Sequence, residues 1–373
     1  MFSEKNLINS DNTFKKFINS CLDENIISID TEFVRNKTFY PQLCLLQIGT
    51  STGSYAIDPN KISNLPLLKK ILRNKNILKI FHSPRQDIEI FFNLFGSLPN
   101  NIFDTQIAYS FISQEYQISY EKLILNILKI KIDKTFQYYD WTLRPISQNQ
   151  LNYALNDVHY LRKTYFKIKE KLKSKNRFDW ALEESKIYLN KKLYFNDPEN
   201  YWKNIYPSKA KDLNLFNLKK ICEWRERKCT SLNVSRKLVL SDKDLIILIK
   251  NPKHLNSLNL KYKLEKKDLQ IIYEILSNNS ETLPKEKPKI LKNNIELLNI
   301  LKIILKLISN ELDISHNLIA TTSELEKLNF KNNKKSRLFK TWRNEVFGIK
   351  IKKFLNNELK IITKGNNFFL EKN

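Results

Sequence analysis

Along the first hundred residues, short apolar runs alternate with polar breaks. Residues 26–30 (Ile-Ile-Ser-Ile-Asp), 43–49 (Leu-Cys-Leu-Leu-Gln-Ile-Gly), 54–58 and 77–81 are rich in β-branched and other apolar positions, which predicts buried strands. The short turn material at 49–53 makes the second and third runs part of an antiparallel meander. Helical spacing over 12–21, 65–72 and 84–95, the last opened by Pro84, then changes the order to strand–helix and predicts parallel additions. Asp104 stands at the N-cap position of a helix over 105–112. Beyond this point strand signals largely stop. Leu151, Ala154, Leu155, Val158 and Leu161 recur at helical spacing in a helix opened by Ser147 and running to about Leu172. A looser stretch, 188–211, holds two Xaa-Pro pairs and several aromatics and reads as a domain boundary. From Leu213 onward everything reads as short amphipathic helices, divided by the proline-bearing stretch 283–288. The expected architecture is one mixed α/β layered domain followed by two helical units.

Composition narrows the class of partner. Lys and Arg number 64 against 39 acids, a net charge of +25, which favours a polyanion, nucleic acid before an anionic membrane surface. The abundance of Asn, Ile and Lys also fits AT-rich coding, so the charge supports this reading without carrying it. Cys21, Cys44, Cys222 and Cys229 form no Cys-x-x-Cys pair, which matches neither a disulfide framework nor a structural zinc site. The start of the chain lacks a basic region followed by an apolar core. The most apolar later segment, 297–308, is interrupted by Lys302 and Lys306. A soluble, cytoplasmic, monomeric protein with no membrane segment is the expectation.

Chemistry enters at Asp30-Thr31-Glu32. Alternation along a strand puts Asp30 and Glu32 on one face, where two carboxylates repel unless a cation lies between them, and hard divalent ions favour such oxygens. Two solvated acids at a strand end are the plainer alternative. Asp87 falls in the first turns of a helix leaving a strand end, where α/β sheets gather ligands, though an acid there also suits the helix dipole. Tyr153 and Asp157 lie one turn apart on a single helical face, and Tyr153 taken singly reads as an ordinary amphipathic side chain.

Taken together these motifs form a rarer set, and the chain resembles the DEDD 3′-5′ exonucleases of the tyrosine subclass, within them the ribonuclease D family. The matching stretches are 29–35 (Ile-Asp-Thr-Glu-Phe-Val-Arg), 39–43, 46–49, Phe81-His82, 103–107, 140–145 and 153–161. The resemblance implies a ribonuclease H-like (DnaQ-like) fold with a mixed sheet and hydrolysis of RNA from the 3′ end to nucleoside 5′-monophosphates. It assigns Asp30, Glu32, Asp87 and Asp157 to two divalent metal ions, Mg²⁺ or Mn²⁺, and Tyr153 to the attacking water. Four carboxylates suit two such ions, which at about 4 Å apart serve in-line attack on a phosphodiester. Asp104 fits capping or support of the site better than ligation. His82, Lys134, Trp141 and Arg144 are candidate substrate contacts, with Trp141 equally readable as core, and Arg35 and Gln42 are weaker ones.

The second half resembles HRDC domains, helical nucleic-acid-binding modules. The stretches 212–216, 222–226 and 239–245 suggest one, and 318–325 with 340–346 a second, more divergent one. The expected domains are 1–205 for the exonuclease unit with its trailing linker, 206–286 for one HRDC domain and 287–373 for the other. Asn156 and Cys229 depart from the family pattern, which often has Ala or Gly there. RNA, in particular the 3′ ends of tRNA precursors and other small structured RNAs, is the expected partner. A DNA 3′-5′ exonuclease of the same fold and a decayed nuclease that only binds RNA are the alternatives. An intact set of four acids and Tyr153 speaks against decay.

Overall fold

The computed structural model describes residues 2–205, 213–257, 264–277, 295–328, 336–365 and 367–373. Its centre is a six-stranded sheet in the order β1-β4-β3-β2-β5-β6, built from β1 (Leu7–Ile8), β2 (Ile26–Val34), β3 (Gln42–Gly49), β4 (Ser54–Ile57), β5 (Leu78–Phe81) and β6 (Ile102–Asp104). The strands β2, β3 and β4 form the antiparallel meander, while β5 and β6 add in parallel beyond β2. Two strands escape the apolar pattern because they are so short: β1, which pairs in parallel with β4, and β6, which ends on the Asp104 cap.

Helices cover the sheet. On one side Phe14, Phe17 and Ile18 of α1 (Asp11–Cys21) and Ile88, Ile90 and Phe91 of α3 (Arg85–Phe95) share a core with β2 and β5. The segment expected as one helix over 65–72 divides into a 3-10 turn, Leu65–Leu68, and the single α-turn α2 (Lys69–Leu72). The helix after Asp104 is shorter than expected, α4 (Thr105–Tyr109), and is followed by α5 (Tyr120–Leu128). The longest helix, α6 (Gln148–Ser174), starts in a capping box between Ser147 and Gln150 and lays Leu151, Ala154, Leu155 and Val158 against the sheet. Its close approach depends on Gly49. A Cβ there would come 2.3 Å from Ser28 Oγ and 3.0 Å from the Val158 carbonyl, and Ser28 Oγ donates a hydrogen bond to that carbonyl at 2.7 Å.

Two further units dock on this domain. The helices Leu215–Leu232, Arg236–Val239, Asp242–Lys250 and Lys266–Ser277 enclose a core into which Phe39, from the loop after β2, inserts. The final unit is held to α7 (Phe178–Ser185). There Trp342 stacks on Trp180 at 5.4 Å, and Arg343 pairs with Glu184 through contacts of 2.5 and 2.6 Å. One apolar core runs from Phe103, Phe111 and Tyr165 into Ile304, Ile308 and Phe347 of this unit.

The expectation that everything beyond Leu213 is helical is overturned at the end of the chain. Strands β7 (Leu359–Lys364) and β8 (Asn367–Lys372) form an antiparallel hairpin turning at Gly365, whose φ is +61°. Among the described residues its Ile361–Leu370 pair is the one packed against the apolar core, so charged and apolar positions mix on the strands and blur the period-two signal. The expected boundary at 283–288 and the junction at 206 lie outside the described residues; the 3-10 turns Lys186–Leu189 and Lys191–Leu193 pack on the first domain, while Tyr201–Asn204 packs with the helices of the next unit. Among the described residues, no helix is long and apolar enough to cross a membrane.

Candidate active site

The acidic cluster forms where β2 meets α6. Oxygens of Asp30, Glu32 and Asp157 lie within 4.8 Å of one another. Three local features bring them together. Alternation along β2 turns Asp30 and Glu32 to one face. A bulge follows at once, with Glu32 opposite Leu45 but Phe33 opposite Leu43, so regular pairing with β3 breaks next to the acids. The Gly49–Val158 approach then carries Asp157 onto the same spot. Arg144 secures the leading loop of α6: it grips Asp58 through Nε and Nη2 at 2.8 and 2.9 Å and donates to the carbonyl of Cys44, the bulge residue, at 2.6 Å.

Electrostatics make this an unsettled place for three carboxylates. Burial, reinforced by Asp157 and Asp87, holds Asp30 well above the usual carboxylate range. Burial likewise raises Glu32, with Asp30 as the largest neighbouring charge, and it pushes Asp157 up to about 7. Of the described residues lining this part of the cleft, Lys134 is the one lysine or arginine, and it is paired with Glu121. The donor set is all oxygen and unneutralised, which suits a hard divalent cation.

Asp87 lies outside the three-carboxylate group. Its Oδ1 accepts a 2.5 Å hydrogen bond from Thr31 Oγ1, and burial raises it to about 6 against that bond. Asp104 sits behind it, fully buried. Its Oδ1 accepts from the backbone N–H groups of Ser83 and Gln106, and its Oδ2 from the Tyr188 hydroxyl. It caps α4 and holds the turn that leads into α3. Tyr153 lines the cleft beside Asp157, and burial with the nearby carboxylates Asp157, Glu32 and Asp30 keeps its phenol protonated far above neutrality.

The expected substrate contacts divide. Lys134 faces the cleft. His82 is a wall residue whose Nδ1 meets Thr105 Oγ1 at 3.0 Å and whose Nε2 meets the Ile118 carbonyl at 3.1 Å; burial lowers it to about 4, so it is neutral. Trp141 and Arg144 are corrections. The indole is 2% exposed in a core with Leu151 and Leu155, which leaves no face for a base, and the Arg144 guanidinium is taken up by Asp58 and three carbonyls. Arg35 is paired with Glu89, and Gln42 is exposed on β3. The sequence reading missed Tyr120, which donates to the Asp157 carbonyl and packs on His82. Its sequence signal is Ser119 as an N-cap ahead of Leu123, Ile124 and Ile127 at helical spacing.

Comparisons with known proteins agree with this geometry. Residues 6–173 match a family model described as a 3′-5′ exonuclease. The chain is 35% identical to ribonuclease D of Bartonella henselae over 352 residues, 90% of this chain and 86% of the relative. It is 32% identical to ribonuclease D of Jannaschia sp., covering 91% and 92% of the two chains. Among solved structures, it superposes on Escherichia coli RNase D, described as an exoribonuclease involved in structured RNA processing, with a TM-score of 0.80, 25% identity and coverage of 94% and 98%.

Proposed function

The chain belongs to the ribonuclease D family of 3′-5′ exonucleases, and from that premise we propose that it trims RNA from the 3′ end, releasing nucleoside 5′-monophosphates by metal-assisted hydrolysis at the Asp30–Glu32–Asp157 cluster. The observation that carries this reading is the set of three half-buried carboxylates within 4.8 Å of one another and without a basic partner of their own among the described residues. Asp30, Glu32 and Asp157 hold a divalent cation, and Asp87, one hydrogen bond from β2, completes the set for a second; Mg²⁺ or Mn²⁺ fits the all-oxygen donors. When bound, such cations lower the pKa of the attacking water and stabilise the departing 3′ oxygen.

The chain's own residues do the rest. Tyr153, a neutral phenol, orients the water by hydrogen bonding and does not take its proton. Tyr120 fixes the backbone at Asp157, and Thr31 fixes the Asp87 carboxylate. Lys134 supplies charge to the incoming backbone if it exchanges Glu121 for phosphate. We further assign 206–286 and 287–373 to HRDC-type modules, the second bearing the terminal hairpin, acting on the 3′ ends of tRNA precursors and similar structured RNAs.

Replacing Asp30 with Asn tests the assignment. Binding of a short RNA, followed by fluorescence anisotropy, is expected to persist while hydrolysis and the calorimetric signal of Mn²⁺ binding disappear. Hydrolysis by the variant at the wild-type rate would overturn the metal assignment. Equal attack on DNA by the wild type would favour a DNA exonuclease, and binding without cleavage of any substrate would favour a decayed nuclease.

A further inference from the structure

The cleft has two compartments that meet at Ile132, Asp133, Tyr153 and Asp157. The smaller, roughly 260 Å³, is walled by His82, Tyr120 and Lys134. The larger, roughly 560 Å³, is lined by Lys131, Phe136, Asn149, Asn152, Asn156 and Tyr160. Residues 149, 152, 156 and 160 recur at helical spacing on the face of α6 that also presents Tyr153 and Asp157, opposite the face that packs on the sheet.

The chemistry of this face differs from that of its surroundings. Further along α6 come Arg162, Lys163, Lys167, Lys169, Lys171 and Lys173, as expected in a chain with 64 lysines and arginines. Between Gln148 and Tyr160, in contrast, the one acid is Asp157 and no lysine or arginine occurs. A groove built only to attract phosphate would be lined with cations. Neutral amides, which both donate and accept, match a neutral group that does the same, and on RNA beside a scissile bond that group is the ribose 2′-hydroxyl. Asn152 Oδ1 accepts from Gln148 Nε2 at 3.1 Å, which leaves its NH₂ for a ligand. Asn156, one turn on, carries no side-chain hydrogen bond among the described residues. Phe136 offers a ring for a base and Lys131 a charge for phosphate.

We propose that Asn152 and Asn156 form a ribose-reading subsite that hydrogen-bonds the 2′-hydroxyl of the penultimate nucleotide, the one retained on the RNA when the terminal nucleotide leaves. The larger compartment takes the continuing strand and the smaller takes the departing nucleotide. This rests on the exoribonuclease reading and specifies how that site distinguishes RNA from DNA. A deoxyribose leaves the amides without a partner, and such mismatches discriminate strongly.

The test is a cycle of Asn156→Ala, and separately Asn152→Ala, against a 5′-labelled RNA with a single 2′-deoxy substitution at the penultimate residue. The readout is kcat/KM for removal of the first nucleotide in Mg²⁺. Each asparagine change is expected to lower it about tenfold, the effect of one hydrogen bond, the deoxy substitution by at least as much because it removes both bonds, and an asparagine change together with the deoxy substitution by no more than the deoxy substitution alone. Losses that multiply, or asparagine variants that lose nothing, overturn the proposal. Non-multiplicative losses with a deoxy substitution at the terminal residue, or with a changed base and not a changed sugar, also overturn it. Whether the wild type trims the all-ribose RNA at all reports on the exoribonuclease reading separately. Alanine is favoured in helices, and thermal melting checks that both variants are folded.

Discussion

Replacing Glu184 with glutamine should loosen the final helical unit from the exonuclease domain by about 3 kcal/mol. The carboxylate receives two charge-assisted hydrogen bonds from Arg343, at 2.5 and 2.6 Å, and a third from Arg337 at 3.3 Å. The Glu184 and Arg343 side chains are 11% and 5% exposed, so the pair is screened little by solvent. Breaking a buried pair from one side costs about 3–5 kcal/mol, because the remaining charge is stranded. The lower end applies here, since Arg343 keeps the carbonyls of Leu318 and Ile319 and remains stacked over Trp342. Trp180 and Trp342 stack at this junction, so urea unfolding followed by tryptophan fluorescence reads its opening directly. A cycle with Arg343→Met should return a coupling energy of about 2–3 kcal/mol. Coupling below about 0.5 kcal/mol would mean that the apolar core alone holds the unit in place, and would refute this reasoning.

Other outcomes follow from the same contacts. Gly49→Ala puts a Cβ 2.3 Å from Ser28 Oγ, so α6 must shift; stability should fall by about 1–3 kcal/mol and kcat should fall with little change in KM, as measured by melting and steady-state kinetics. Metal affinity should rise with pH through roughly 6 to 7, because burial raises Asp87 to about 6 and Asp157 to about 7, with Asp30 and Glu32 also held well above the usual carboxylate range, and protons compete with the cation below those values; calorimetry in two buffers of different ionisation enthalpy would show proton release on Mn²⁺ binding. Burial works against ionisation of Glu324, but hydrogen bonds from Arg337 and Thr321 together with the Arg337 charge outweigh it and bring the group down from 4.5 to about 2. Its folded pKa is depressed, so its contribution is complete above 4.5 and is lost as pH falls toward 2. The stability difference between wild type and Glu324→Gln should therefore shrink over that range from about 1 kcal/mol, after allowance for solvent screening.

Much of the exonuclease domain could be read from periodicity because its decisive elements are long or fully buried. The apolar runs of β2, β3 and β5 and the helical stripe of α6 each carry a single face or a continuous core signal. Alternation alone predicts that Asp30 and Glu32 share a side, and helical spacing that Tyr153 and Asp157 do. Their convergence into one cluster was not readable, because it depends on the long-range contact of Gly49 with Val158 and on the bulge after Glu32. Trp141 and Arg144 show the limit from the other side. An aromatic and a cation beside a catalytic helix have the composition of a substrate contact, yet one fills the core and the other locks the loop to Asp58. Nothing local distinguishes the two uses. The terminal hairpin was missed because its strands lean on the core through one pair and otherwise face solvent.

The central claim, metal-dependent trimming from the 3′ end at the three-carboxylate cluster, is tested most directly by following a 5′-labelled RNA with the wild type and Asp157→Asn, in Mg²⁺ and in EDTA. The account predicts stepwise shortening by single nucleotides with the wild type in Mg²⁺, none in EDTA, and none with the variant in either. Internal cuts, shortening that survives EDTA, or an Asp157→Asn protein that trims at the wild-type rate would contradict it.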